Sequence, residues 1–271
     1  MQGASRDAFA AGADRLDALT GTPGADVTGI ADDLSAVAVA FGRDASLRRM
    51  LTDPARPAAL RADIVTSLLA GKISADAAAL VAGLVRSRWS APRDLADAVA
   101  DLAVRADLAV AERDGKLDEV EDELFRLGRL LDSNGDLALA LADGRVPADK
   151  RVALVDGLLA GKVDPTTYRL VGRLVANPRG RSISAGLTEI GKEAAARRER
   201  LIAYVTAAVP MTEQQRDRLG AVLKRMYGKQ VHLNVDLDPE VLGGLSVRIG
   251  DEVIDGTVAT RLARAQRQLA G

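Results

Sequence analysis

The sequence predicts a mainly α protein: two tandem homologous helical bundles of about six helices each, followed by a small α/β domain. Three observations carry that prediction. Aromatic residues make up 3% of the 271 residues against 48% apolar overall, so Ala, Leu and Val must fill the cores. Such cores suit close-packed helices better than sheet sandwiches. Shifting the chain by 90 residues aligns two long segments without a gap. Near residue 197 the apolar period then changes from helical to strand-like. The expected units are 1–95 (copy one), 96–196 (copy two) and 197–271 (the α/β domain), each of ordinary domain size.

The repeat justifies the helices in order. Val27, Ile30, Leu34, Val37 and Phe41 step by 3 and 4, and Leu117, Val120, Leu124, Leu127 and Leu131 take the same steps. Each set is one apolar stripe on a helix. Leu47 and Leu51 match Leu137 and Leu141, and Pro57 matches Pro147. The most similar stretch follows, RADIVTSLLAGKI from Arg61 against RVALVDGLLAGKV from Arg151. Helices are predicted at about 4–19, 27–42, 44–51, 57–70, 75–88 and 93–110 in copy one. Pro57 and Pro147 suit a first helical turn, and Gly71 and Gly161 a left-handed closing position. DLADAVADLAVRADLAVAERD contains no breaker, so the last helix of copy one should run on into copy two and join the bundles mechanically.

In the last third, RLIAYVTAAVP alternates as a strand before Pro210. Thr212 and Gln215 form a capping box for a helix whose stripe is Leu219, Val222, Leu223 and Met226, closed by Gly228. Val231, Leu233, Val235 and Leu237 alternate with His232, Asn234 and Asp236 as a half-buried strand. Leu245, Val247 and Ile249 form another, Val253 and Ile254 return, and Asp255-Gly256-Thr257 opens a terminal helix. Charge shifts as well: residues 1–196 carry 25 basic and 29 acidic side chains, residues 197–271 carry 12 and 9.

Catalytic chemistry is hard to assemble from these residues. With no Cys and one His, thiolate sites, thiol nucleophiles and His-cluster metal sites are excluded. A net charge of −1 with dispersed basic residues argues against nucleic acid. The charged N-terminus does not read as a signal peptide, and no window is apolar enough to span a membrane, so a soluble intracellular chain is expected. GLLAGKV (157–163) is one residue short of phosphate-loop spacing, and Gly161 reads as a helix cap. His232 reads as a surface histidine. Glu119 and Glu123 read as a solvated helix face, and Trp89 as a loop anchor. No cofactor is expected. Leu242-Gly243-Gly244-Leu245 stands apart: paired glycines in a strand region mark a bulge or a close backbone approach.

VHLNVDLDPEVLGGLSVRIGDEVIDGTVATRL, residues 231–262, closely resembles the C-terminal signature of the δ subunit family of F-type ATP synthases, whose mitochondrial counterpart is the oligomycin-sensitivity-conferring protein. The matching elements are Asp238-Pro239, Leu242-Gly243-Gly244, Val247-Arg248-Ile249-Gly250 and Ile254-Asp255-Gly256-Thr257. Copy two resembles the family's N-terminal helical domain, so the resemblance runs from about residue 100 to 271. Copy one is the departure. A duplicated δ, with 30 Arg to 7 Lys, resembles the actinobacterial type.

The resemblance implies a non-catalytic subunit of the peripheral stalk, at the cytoplasmic face of the cell membrane and held there through partners. It links the α3β3 catalytic head to the membrane-anchored b subunit. It places N-terminal segments of α subunits beside Val104, Leu108, Tyr168, Val171 and Val175 of copy two; the alternative is that all are core, which helical periodicity allows equally for Val171 and Val175. It places the b contact in the C-terminal domain around Gly243, Gly244, Arg248, Asp255 and Gly256. The alternative is a free-standing helical-repeat adaptor that binds amphipathic helices. Two repeats are fewer than a solenoid needs, and an enzyme would require a buried ionisable group in a cleft.

Overall fold

A computed structural model describes residues 1–198, 201–228, 231–238, 244–249 and 252–255. Eleven helices build the first compact unit, residues 1–198. They are α1 (Ala4–Thr20), α2 (Val27–Arg43), α3 (Ala45–Thr52), α4 (Ala58–Leu69), α5 (Ala75–Arg86), α6 (Pro92–Arg113), α7 (Leu117–Ser133), α8 (Gly135–Ala142), α9 (Ala148–Leu159), α10 (Pro165–Ala176) and α11 (Ile183–Arg198). The 90-residue shift carries α2–α6 onto α7–α11, and it also carries α1 onto α6. Helix α6 is therefore the sixth helix of copy one and the first of copy two. The expected boundary at 95/96 falls inside it. Its 22 unbroken residues span about 33 Å at 1.5 Å per residue.

The stripes are core. Val27, Ile30, Leu34, Val37 and Phe41 lie in one cluster, and Leu117, Val120, Leu124, Leu127 and Leu131 in another. Helix α6 feeds both, with Leu95, Val99 and Leu102 in the first and Leu108 and Ala111 in the second. At roughly 1.5–3 kcal/mol per buried Leu or Val side chain, each cluster is a substantial source of stability. Gly71 and Gly161 each take φ 69° one residue past the cap of α4 and α9, the left-handed geometry expected of them. Pro57 and Pro147 sit at the caps rather than one residue later in the first turn. Their ψ of 136° and 143° is extended, and their carbonyls accept the first helical hydrogen bonds.

The second unit, residues 199–271, holds a four-stranded sheet and one helix among its described residues. Strand β1 (Leu201–Ala207) leads through α12 (Glu213–Tyr227) to β2 (Val231–Leu237), which pairs parallel with β1. Strand β3 (Leu245–Ile249) pairs antiparallel with β1, and β4 (Glu252–Asp255) with β3, giving the order β2-β1-β3-β4. Thr212 and Gln215 form both halves of the capping box, and Gly228 closes α12 at φ 69°. Ala203, Val205, Val247, Ile249 and Leu223 make the core.

Two inward assignments change. Met226 is exposed, because the packed row on α12 steps by four through Leu219, Leu223 and Tyr227 and drifts around the helix away from it. Leu237 is exposed as the last residue of the edge strand β2. Asp255 is the final residue of β4, paired with Ser246, and the helix it is expected to open lies outside the described residues. Gly243, Gly256 and the expected terminal helix lie outside the described residues.

Candidate interaction surfaces

The seam between the two helical copies is charged, and its members come from positions far apart in sequence. Asp107 of α6 is fully buried. It accepts from Arg169 Nε at 2.9 Å and Arg173 Nε at 2.6 Å, both on α10. Arg173 reaches on to Asp32 of α2 at 2.7 Å, so one guanidinium ties α2, α6 and α10 together. Burial alone would lower the pKa of Arg173; the hydrogen bond and charge of Asp107, then those of Asp32, outweigh it and the net shift is upward. Arg105 of α6 pairs with Glu193 of α11 at 2.8 Å, and Arg179 with Asp101 at 2.6 Å. Arg197, at the end of α11, holds Asp17 of α1 at 3.2 Å and Glu112 of α6 at 2.5 Å. A cleft along this seam is lined by Phe9, Ser35, Val39, Val104, Asn177 and Arg181, among others.

Two devices recur in both copies. Arg61 and Arg151 are buried and donate to backbone carbonyls: Arg61 to Leu51, Arg86 and Ser87 at helix ends, Arg151 to Leu141 and Val175 at helix ends and to Val146 in the α8–α9 loop. The carbonyls at the ends of α3 and α5, and of α8 and α10, find their partners this way. The second device is a carboxylate at a helix start. Asp33 accepts from Ser74 N at 2.8 Å, and Glu123 accepts from Asp164 N at 3.0 Å and Thr167 Oγ1 at 2.6 Å. The solvated-face reading therefore fails for Glu123, which caps α10 from α7. Glu119 is exposed and pairs with Lys116, whose pKa the hydrogen bond and charge of Glu119 raise.

The five residues expected beside the α-receiving groove do not share one surface. Leu108, Val171 and Val175 are core residues of copy two, leaving little side chain to reach from solvent. Val104 is partly buried and lines the cleft at the seam. Tyr168 turns toward α9 and donates to Asp156 at 2.6 Å, which raises its pKa. Of the residues expected at the b contact, Arg248 is exposed on β3 with its guanidinium 5.3 Å from the ring centre of Tyr204. Gly244 has φ 83°, a conformation that side chains resist. Register places Asn234, Tyr204, Arg248 and Val253 in one row across all four strands, with Tyr204 and Val253 exposed.

The bland readings hold for Gly161 and Trp89, while the side chain of His232 lies outside what the structure describes. Gly161 closes α9, and Lys162 Nζ donates back to Leu158 O at 3.0 Å, so the GK pair points carbonyl oxygens, not amides, at any ligand. Trp89 donates from Nε1 to Leu84 O at 2.9 Å and packs on the first core. Among the described residues no group of three His, Asp or Glu side chains could hold a metal ion, and no helix is long and apolar enough to cross a membrane.

Residues 99–269 match the family model described as ATP synthase delta (OSCP) subunit. A Streptomyces griseus protein named ATP synthase subunit delta is 51% identical over 271 residues, covering 100% of both chains. One of the same name from Streptomyces avermitilis is 53% identical over 268 residues, covering 99% of this chain and 98% of its own. Another from Beutenbergia cavernae is 48% identical over 271 residues and 100% of both chains. Copy one is thus shared with these relatives, although the family model begins only within α6. The chain belongs to the ATP synthase delta (OSCP) subunit family.

Proposed function

We propose that the chain works as a non-catalytic subunit of the peripheral stalk of an F-type ATP synthase, holding the catalytic head against rotation while proton flow turns the rotor. Full-length likeness to proteins named ATP synthase subunit delta is the observation that carries this reading. The architecture supports it. Two bundles fused through one unbroken helix, and fastened by ion pairs on both sides of it, form a stiff body suited to bearing load.

In this reading the helical copies are the head-binding end. N-terminal segments of α subunits lie along α6 and α10, with Val104 at the seam and Tyr168 on the side toward α9 the partly exposed members of the expected set. Leu108, Val171 and Val175 support them from below. The C-terminal unit is the b-binding end, with Gly243, Gly244, Arg248, Asp255 and Gly256 in or beside the contact. The cationic Arg248 standing on Tyr204 suits an acidic face of a long b helix. The subunit sits at the cytoplasmic face of the membrane through these partners.

Binding of the full chain to an α N-terminal peptide and to the soluble part of b tests both ends. Arg248→Ala should weaken b binding and leave α binding intact; equal binding of b by the folded variant refutes the assignment. Trp89 fluorescence should respond to neither ATP nor ADP, and a saturable response to nucleotide alone would count against a purely structural role.

A further inference from the structure

The duplication supplies its own control for what a surface is for. In copy one, the face where α2 meets α6 is covered by copy two. Ser35, Ala38, Val39, Asp101 and Arg105 line the seam cleft there, and Arg179 and Glu193 of copy two grip Asp101 and Arg105. The 90-residue shift turns these five positions into Phe125, Gly128, Arg129, Gly191 and Ala195. All five line an open groove between α7 and α11. The same face is thus covered by copy two in one case and by no other helix of residues 1–198 in the other.

What changed between the copies says what the open groove takes. The two charged anchors, Asp101 and Arg105, have become Gly191 and Ala195. At these two positions a second copy of this chain would find neither the carboxylate that Arg179 grips nor the cation that Glu193 grips, although Asp122, Arg129 and Asp132 line the groove elsewhere. Phe125 replaces Ser35 and is 64% exposed. Gly128 and Gly191 lie within helices, where glycine is disfavoured by about 1 kcal/mol relative to alanine. A Cβ at either position would meet nothing within 4 Å. Gly12 and Gly186 are different, because Cβ atoms there would collide with Leu84 and Leu174 of this chain. The chain's own packing therefore does not require Gly128 or Gly191 to be small. Gly157 and Gly172 are as open, but of these four only Gly128 and Gly191 line the groove, where the missing side chains permit close approach from outside.

We infer that the α7–α11 groove docks a single amphipathic α-helix of another ATP synthase subunit, its apolar stripe on Phe125 and its backbone close over Gly128 and Gly191. Length fits, since lining positions on α7 run from Asp118 to Asp132, about 21 Å or four helical turns. Charge adds a polarity. Arg198 is already paired with Asp118 and Glu121, Lys192 with Glu189, and Arg129 lies over the Phe125 ring at 6.0 Å, while Asp132 at the far end is exposed with no ion pair among the described residues. The docked helix carries a basic residue to meet it. This groove is separate from the α6–α10 surface assigned above to the α segments.

The test uses the full chain and purified ATP synthase stripped of it. Gly191→Leu fills the groove without touching the chain's own core and improves helix propensity, so its melting temperature should match or exceed the parent's. Its affinity for the stripped complex should fall by roughly tenfold or more, as for loss of a central interface contact, and Phe125→Ser should weaken it in the same direction. A photo-crosslinker at Gly128 should join one helical segment of one other subunit. Unchanged affinity in both folded variants overturns the inference, as does a crosslink to a second copy or to residues 199–271 of the same chain. The stalk reading fails separately, if the parent chain does not rebind the stripped complex at all.

Discussion

Asp107 is the residue on which the joining of the copies can be measured. It is wholly buried, and both its partners are largely so, with Arg169 and Arg173 side chains 22% and 16% exposed. Removing one member of a buried pair and stranding the other costs roughly 3–5 kcal/mol. Two features reduce that here: water reaches both guanidinium groups, and Arg173 keeps Asp32. Asp107→Asn preserves shape and one acceptor oxygen while deleting the charge, and should destabilise the helical unit by about 2–3 kcal/mol. For a unit of this size that is a fall of about 4–12 °C in melting temperature. Helical ellipticity follows both copies, whereas Trp89, the single tryptophan, reports copy one. Because α6 belongs to both cores, the two signals should shift together. Replacing Asp107, Arg169 and Arg173 together by Leu should recover most of the loss, since no stranded charge remains. A change under about 0.5 kcal/mol for Asp107→Asn, within the range of ordinary surface substitutions, would refute the reasoning. So would a Trp89 midpoint that stays fixed while ellipticity falls.

Three further outcomes are expected. Glu123→Ala removes the cap on α10 and should cost about 1–2 kcal/mol in urea unfolding, whereas Glu119→Ala on the same helix should cost almost nothing. Gly71→Ala and Gly161→Ala force alanine to φ 69° and should each cost about 1 kcal/mol in thermal unfolding, a matched pair across the repeat. Asp143 is held at a pKa of about 2 by the Arg145 side chain and its backbone amide. A depressed carboxylate pKa contributes stability that is present above the ordinary value of 3.8 and lost as pH falls through about 2. Arg145→Ala should therefore move the NMR titration of Asp143 upward toward 3.8.

The helices were legible because their signals are local. The 3–4 spacing, the capping box at Thr212 and the glycines at 71, 161 and 228 each act within one or two turns. The single helix across the copies was legible as well, from an absence of breakers. What sequence reasoning missed depends on partners far along the chain. Glu123 lies off the apolar stripe of α7 and reads as solvated, yet its partner is the amide of Asp164, 41 residues away. Arg61 and Arg151 occupy the same repeat position, and an arginine kept in register through an otherwise apolar stretch was the available clue to their burial. Asp107 offered less, because its repeat counterparts Asp17 and Arg197 differ in charge while all three are buried. Leu108, Val171 and Val175 show the opposite problem, since a stripe position reads alike whether its face meets the core or a partner.

Ion pairs at the seam are a costly way to gain stability, since a well-packed apolar seam of the same volume would be as stable or more so. Their advantage is directional. Apolar side chains tolerate small slides along a helix, but Arg173 satisfies Asp32 and Asp107 at once in one geometry only, and Arg197 does the same for Asp17 and Glu112. These anchors tie α1, α2 and α6 to α10 and α11, so sliding copy two over copy one breaks several pairs together. Deep burial also shields Asp107 from the salt that weakens exposed charges. A stalk under torque needs resistance to shear more than resistance to unfolding. In that light, the loss of the charged anchors at Gly191 and Ala195 separates two kinds of surface: one locked permanently within the chain, and one left free for a helix from outside.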